Sequence, residues 1–339
     1  MLGLKEQEVT KVQTGGPDGD LGSNEILQSK DKTVAIIDGS GVIHDPHGLD
    51  REELVHLAKE RKTISHFDPS KLSKDGYRVL VEDRNLKLPS GEVVPDGFNF
   101  RNGAHLRYKA DLFVPCGGRP ESINVTNVQQ LIKGETTNYK YIVEGANLFI
   151  TRQARLELEK NGVILYPDAS ANKGGVTSSS LEVLVGLSLT DEEYIQNMLF
   201  VDGKPTPFYM NYVRDIQSII ARNARGEFEA IWRENEETGK PRSFISTDLS
   251  RSLNLLSLEI EKTNLFEQDT LRNTILKLVF PQSLVAKVGL DELVRRVPES
   301  YLKSAFAAQV AAGFIYAKGP RASHVDFYDH ISALLQGSS

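Results

Sequence analysis

A single cysteine, Cys116, stands among 339 residues, beside one tryptophan and three methionines. One thiol forms no intrachain disulfide and no cysteine-only metal site, and such scarcity fits a reducing, intracellular compartment. Long apolar runs are missing as well. The longest, such as "LEVLVGLSL" at 181–189 and "AFAAQVAAGFIYA" at 305–317, fall short of the roughly 20 residues needed to span a bilayer. Residues 1–15 carry Lys5, Glu6, Glu8 and Lys11 without an apolar stretch, so no signal or transit peptide is visible there. A strong excess of charge is also lacking. Forty basic against 46 acidic side chains give a net charge of −6, and no basic tract offsets it, which argues against nucleic acid or an anionic membrane as the main partner.

What remains is the composition of a soluble globular protein, 40% hydrophobic and 25% charged, long enough for one large or two ordinary domains. The first half alternates short apolar runs with helical patterns. "TVAIID" (33–38), "ADLFVP" (110–115), "KYIVEGA" (140–146) and "GVILYPD" (162–168) are nearly continuous in apolar residues, the pattern of buried strands in a parallel sheet, and "EVTKVQT" ahead of the glycine loop is read as a further strand. Between them, "SNEILQSK" (23–30), "DREELVHLAKERK" (50–62), "NVTNVQQLIK" (124–133) and "TRQARLELEKN" (151–161) show helical spacing, with Ser23 or Asn24 and Asp50 as candidate caps. The segment 75–100 alternates on both sides of Pro-Ser-Gly, which predicts an inserted β-hairpin that decorates the sheet. From about residue 186 only amphipathic helices follow, joined by turns containing Pro205, Pro207, Gly239 and Pro241. The expected architecture is α/β: a Rossmann-type, doubly wound and mostly parallel sheet over 1–185, then an α-helical C-terminal region over 186–339.

The loop "QTGGPDGDLGSNEIL" (13–27) supplies the chemistry. A strand, a glycine turn and a helix leave backbone N–H groups and the positive helix end facing a phosphate, with no Cβ in the way. Within G-x-G-x-x-G the last two glycines are Gly19 and Gly22, but the first position falls on Pro17. Either the turn is one residue longer or Gly16 serves from a displaced position. Asp38 closes the next strand 19 residues after Gly19, where a carboxylate accepts hydrogen bonds from the adenosine ribose and disfavours a 2′-phosphate. NAD is therefore expected over NADP. The cluster His44, Asp45 and His47 has a spacing that suits a metal, but is expected to form a surface turn. Lys173 lacks the surroundings of a phosphate-loop lysine and is expected to line a cleft rim or pair with an acid.

"YIVEGANLFITRQARLELEKNGVILYPDASANKGGVTSSSLEVL" resembles the glutamate, leucine, phenylalanine and valine dehydrogenase family, through E-G-A-N and P-D-x-x-A-N-x-G-G-V-T followed by Ser. "GGPDGDLGSNEI", "DGSGVIHDPHGLD" and "ADLFVPCGGRPESIN" align too, so that the resemblance covers roughly residues 8–190. Its wording is most similar to the large-subunit, NAD-specific glutamate dehydrogenase branch. The resemblance implies that Gly16, Gly19, Asp20, Leu21 and Gly22 approach the pyrophosphate of NAD and that Asp38 takes the adenosine ribose. It places Cys116 and Gly117 near the cofactor, Asn147 near the nicotinamide ribose, and Asn172 at the carboxamide. Val176 and Ser179 would face the substrate, Ser179 meeting the side-chain carboxylate of L-glutamate or 2-oxoglutarate. It further implies a homo-oligomer in the mitochondrial matrix or cytoplasm.

Oxidative deamination needs a lysine of lowered pKa and a carboxylate facing the nicotinamide. In the family both come from an N-terminal substrate domain with a G-G-x-K-G-G type segment, and that segment is absent from this sequence. No catalytic residue is therefore assigned. The chain is expected to be the C-terminal part of a larger polypeptide, with an exposed apolar patch on its helices at 290–320 where that domain would rest. Two rivals stay open: a sister dehydrogenase of aliphatic amino acids, and a non-catalytic NAD-binding or regulatory module.

Overall fold

The computed structural model describes residues 3–336. It divides into two compact units, residues 1–172 with 241–243 and residues 173–240 with 244–339.

The first unit is built on seven strands: β1 (Thr10–Thr14), β2 (Lys32–Ile37), β3 (Gly41–His44), β4 (Tyr77–Leu80), β7 (Ala110–Pro115), β10 (Tyr139–Val143) and β11 (Ile164–Tyr166). Two small antiparallel ribbons complete the numbering, β5 (Arg84–Lys87) with β6 (Val93–Asp96), and β8 (Ile132–Lys133) with β9 (Thr136–Thr137). The sheet order is β11-β10-β7-β1-β2-β3-β4. From β11 to β2 all neighbours are parallel, whereas β3 pairs antiparallel with both β2 and β4. The chain runs outward from β1 in one direction and then restarts at β7 on its other side. The switch between β1 and β7 is the place where a doubly wound sheet opens a crevice at its carboxyl ends.

Both faces of the sheet are covered. Ile36 and Ile43 pack with Ile26 of α1 (Asp20–Gln28) and with Leu54 and Leu57 of α2 (Arg51–Glu60). Val12, Phe113, Ile142 and Leu165 lie in the opposite cluster with Phe100 of α3 (Gly97–Gly103) and Leu158 of α4 (Arg152–Lys160). Two-sided burial explains why β2, β7 and β11 are almost continuously apolar.

Several elements differ from the sequence expectation, each for a physical reason. α1 begins at Asp20 with Gly19 as its N-cap, so Ser23 and Asn24 lie inside the helix and donate to Asp20 O. Asp50 does cap α2, accepting from Glu53 N at 2.8 Å. The helix expected over 124–133 shrinks to a 3-10 turn at Val128–Leu131. Asn124 and Asn127 bond their neighbours' backbone at 2.8–2.9 Å, the local competition that keeps such residues out of helices. Tyr77–Leu80 does not decorate the sheet but forms its edge, paired to β3. The turn expected around His44 thus contains a strand.

Lys11 is fully buried on β1, and its Nζ reaches Asp31 at 2.8 Å, Glu25 at 3.0 Å and Ser29 Oγ at 3.0 Å. It ties the central strand to α1 and to the turn that leads into β2.

The second unit is helical: α6 (Lys173–Ser188), α7 (Asp191–Met198), α8 (Pro207–Thr238), α9 (Arg242–Ile260), α10 (Asp269–Val279), α11 (Gln282–Val288), α12 (Leu290–Arg296), α13 (Glu299–Lys318) and α14 (His324–Gln336). The one-turn α5 (Asp168–Ala171) precedes it in the first unit. Local chemistry sets the boundaries. Thr190 and Glu193 form a reciprocal capping box at α7, while α8 opens with Thr206 and Pro207 and ends on Gly239 in the left-handed region. Lys173 Nζ pairs with Glu227 of α8 at 2.6 Å. The apolar patch expected over 290–320 is not there. Leu302, Phe306, Val310, Phe314 and Ile315 of α13 are buried, the first three in the unit's own core, and the exposed large apolar side chains of this unit lie instead at positions such as Ile195, Phe200, Leu255 and Val325.

Removing the Lys11 ammonium leaves two carboxylates without their buried counter-charge. Lys11→Met is expected to cost about 3 kcal/mol of stability, read as a lower urea midpoint, and Asp31→Asn in the same chain should recover part of it.

Candidate functional site

The carboxyl ends of β1, β2 and β7 surround a cavity of about 630 Å³ within the first unit. Thr14, Gly15, Gly16, Asp18 and Gly19 line it from the turn after β1, Ile37, Asp38 and Gly39 from the end of β2, and Cys116 to Arg119 from the end of β7. Arg101, Asn102, His105 and Leu106 close it from α3 and the turn beyond. The volume falls within the range of small-molecule and cofactor sites.

Glycine is required at Gly15, Gly16 and Gly22; at Gly16 a Cβ would stand 2.6 Å from the Cβ of the buried Asp38. Gly15 has φ +83°, and a Cβ there would stand 2.6 Å from Gly117 N and 2.7 Å from the Cys116 carbonyl carbon. At Gly22 a Cβ would strike Gly16 O and come within 2.6 Å of Gly15 O, so only glycine lets α1 start this close to its own turn. Gly19 is different. A Cβ there would meet only Gly16 O at 3.6 Å, and no side chain caps the helix at this residue. The first amides of α1 are therefore left to whatever occupies the turn, the arrangement that favours an anion. Glycines that allow the close approach, an uncapped helix start and a crevice at the switch point together fit the pyrophosphate of a dinucleotide.

Asp38 lies 3% exposed beneath the turn. Its Oδ1 accepts from Ser40 N (2.8 Å), Ser40 Oγ (2.7 Å) and Gly41 N (3.2 Å), and its Oδ2 from Ile64 N at 2.8 Å. Burial holds its carboxyl above the ordinary carboxylate range, opposed by the hydrogen bonds from Ile64 and Ser40. Asp20 is exposed and paired to Arg61 at 2.8 Å. The Cys116 thiol is pushed up by burial and by Glu25, which leaves it protonated and unreactive at neutral pH.

Not every expected residue meets in this cavity. Gly16, Gly19, Asp38, Cys116 and Gly117 line it, whereas Asp20, Leu21 and Gly22, which form the start of α1, do not. Asn147 and Asn172 do not line it but meet each other, Asn172 Nδ2 donating to Asn147 Oδ1 at 3.0 Å. Val176, 76% exposed, and Ser179 stand on α6 in the second unit, and Ser179 Oγ donates to Gly175 O at 3.0 Å. Gly15, Arg101, His105 and Arg119 were missed. Gly15 carried a signal, being one of the two glycines just outside the motif, and the others carried none beyond their side-chain type.

The loops that bear Asn147 and Asn172 share one cation. Arg155 of α4 binds Glu144 through Nε (2.7 Å) and Nη2 (2.9 Å), and Nη2 also reaches Asp168 Oδ1 at 2.8 Å. Asp168 Oδ2 accepts from Leu148 N at 2.7 Å, and Leu148 is itself held at φ +59°. Glu144 is fully buried, and desolvation pushes its carboxyl up to about 7 against the pull of Arg155. The folded protein therefore keeps a proton that the unfolded chain has released. Stability is expected to fall as pH rises from 4.5 to about 7, and Glu144→Gln should flatten that slope in urea midpoints taken across the window. Arg155→Ala strands two acids and is expected to cost about 3–5 kcal/mol in the same measurement.

Residues 1–239 match the Glutamate/Leucine/Phenylalanine/Valine dehydrogenase family. The chain is 54% identical over 327 residues to a probable NAD-specific glutamate dehydrogenase of Schizosaccharomyces pombe, covering 96% of this chain and 30% of that protein. It is 52% identical over 334 residues to an NAD-specific glutamate dehydrogenase of Neurospora crassa, covering 98% and 32%. With glutamate dehydrogenase 2 of Dictyostelium discoideum it shares 48% over 339 residues, covering 99% and 32%. The chain thus spans about a third of the length of these curated relatives. With its glycine turn, its switch-point cavity and a match over most of its length, the chain belongs to the Glutamate/Leucine/Phenylalanine/Valine dehydrogenase family.

Proposed function

We propose that this chain provides the NAD-binding part of a glutamate dehydrogenase that oxidatively deaminates L-glutamate to 2-oxoglutarate and ammonium. The observation that carries the reading is the cavity at the β1/β7 switch, where the glycine turn, the uncapped start of α1 and Asp38 converge. When bound there, NAD would accept hydride from the substrate Cα. This chain's residues hold and orient it: the turn at Gly15–Gly19 and the first amides of α1 receive the pyrophosphate, and Asp38 opposes a 2′-phosphate at the end of β2. On the family resemblance Asn147 and Asn172 take the nicotinamide side, and Val176 and Ser179 take glutamate. The lysine and carboxylate that would move protons during deamination are proposed to come from a substrate domain outside this sequence, in a homo-oligomeric enzyme of the mitochondrial matrix or cytoplasm.

Gly19 separates binding from folding, since valine there protrudes toward the cavity and meets little else. Calorimetric titration of the purified chain is expected to show NADH binding with clear preference over NADPH. Gly19→Val should weaken NADH at least tenfold while leaving the melting temperature within a few degrees, and no turnover of glutamate should be detected. A folded chain that takes up neither dinucleotide overturns the cofactor assignment, and turnover by this chain alone overturns the division of catalytic residues.

A further inference from the structure

The cavity contains more acid than an anion site tolerates. Asp18 and Asp38 both line it, and two carboxylates beside a pyrophosphate oppose its binding unless a cation faces them. Asp38 is also committed elsewhere. Its four hydrogen bonds to Ser40, Gly41 and Ile64 use about the full acceptor capacity of a carboxylate, so it holds the loop after β2 in place.

Arg101 stands at this end of the cavity, half-buried on α3. Its Nε donates to Asp38 O at 2.7 Å and its Nη1 to Asn102 Oδ1 at 3.0 Å. The guanidinium is thus aimed by a backbone carbonyl and a neutral amide, with no carboxylate paired to it among the described residues and its Nη2 group free of protein partners. A half-buried guanidinium without a counter-ion, fixed in place at a cavity wall, is preorganised for an external anion, and its planar fork matches phosphate oxygens. Arg119, the other arginine of the lining, is exposed.

We propose that Arg101 is the cation that holds the phosphate on the adenosine side of the dinucleotide, and so offsets the cavity's two carboxylates. The assignment rests on the dinucleotide reading above and adds to it a residue outside the glycine turn, carried by α3. Asp38 O orients the guanidinium, and Nη2 is the group that reaches the ligand.

Binding of ADP-ribose and of adenosine to the full chain tests this, for wild type, Arg101→Gln and Arg101→Lys. Arg101→Gln is expected to weaken ADP-ribose about tenfold or more, the loss of one charge-assisted hydrogen bond, and to flatten the salt dependence of its binding. Uncharged adenosine should be unaffected, and Arg101→Lys should fall between wild type and Arg101→Gln. Equal ADP-ribose affinities for wild type and Arg101→Gln overturn the proposal while leaving the dinucleotide site standing. A parallel loss of adenosine affinity overturns it too, because it shows a structural role. Failure of the wild type to bind ADP-ribose removes the dinucleotide reading, and the Arg101 contact with it.

Discussion

The first unit depends on how closely one turn approaches its neighbours. Gly15 stands where any Cβ would collide with the backbone at Cys116 and Gly117, and Gly22 lies against the carbonyls of Gly15 and Gly16. These contacts bring the ends of β1 and β7 and the start of α1 into one place. Hydrogen bonds set the same geometry from the strand side: Gly15 N donates to Ile37 O at 2.8 Å, Cys116 N to Thr14 O at 2.7 Å, and Thr14 Oγ1 to Gly117 O at 2.6 Å. A side chain at either glycine would push the helix start away from the crevice. The packing of the turn is thus decided by these missing Cβ atoms.

Charge organises the rest of the unit. Lys11, buried in β1, gathers Glu25 and Asp31, and Arg155 gathers Glu144 and Asp168. In each case one cation sits between two acids that belong to different segments. An arrangement of this kind contributes little net stability compared with an apolar replacement, but it penalises displacement of any one partner severely. It therefore fixes the relative positions of the segments that carry the two acids. Leu148 shows the effect, held at φ +59° by a hydrogen bond to a carboxylate that Arg155 also binds. Asn147 and Asn172 can then meet across two loops because their supports share a guanidinium.

Most of the parallel core was legible in the sequence because burial on both faces leaves a nearly continuous apolar run, and β2, β7, β10 and β11 fall on such runs, whereas β1, TKVQT, buries Lys11 and Gln13 and was legible only from the glycine turn that follows it. The glycine turn was legible because its residues adjoin one another in the chain. What escaped depends on partners far away. β3 is four residues long and exists as a strand through β2 and through β4, which is contributed by residues 77–80. Arg101 reaches the cavity because α3 follows that excursion and returns to Asp38, 63 residues earlier in the chain. The start of α1 at Gly19 was hidden for the opposite reason. It has no capping side chain at all, and the polar residues that looked like caps were already inside the helix.

On the NAD reading proposed above, Asp38 would serve specificity without contacting what it selects. A buried carboxylate is costly to desolvate, and here backbone amides and a hydroxyl offset that cost. Those donors leave little capacity for a ribose hydroxyl, so affinity has to come from other groups. They do not remove the negative charge. On the proposed reading, a carboxylate fixed at the end of β2 would oppose a second phosphate at that spot. Arg101 lies across the Asp38 carbonyl, close enough for the pair to present an anchored acid and an anchored base to the same end of the cavity. On the proposed reading repulsion and attraction reside in different residues, but the 2.7 Å bond from Arg101 Nε to Asp38 O couples the two.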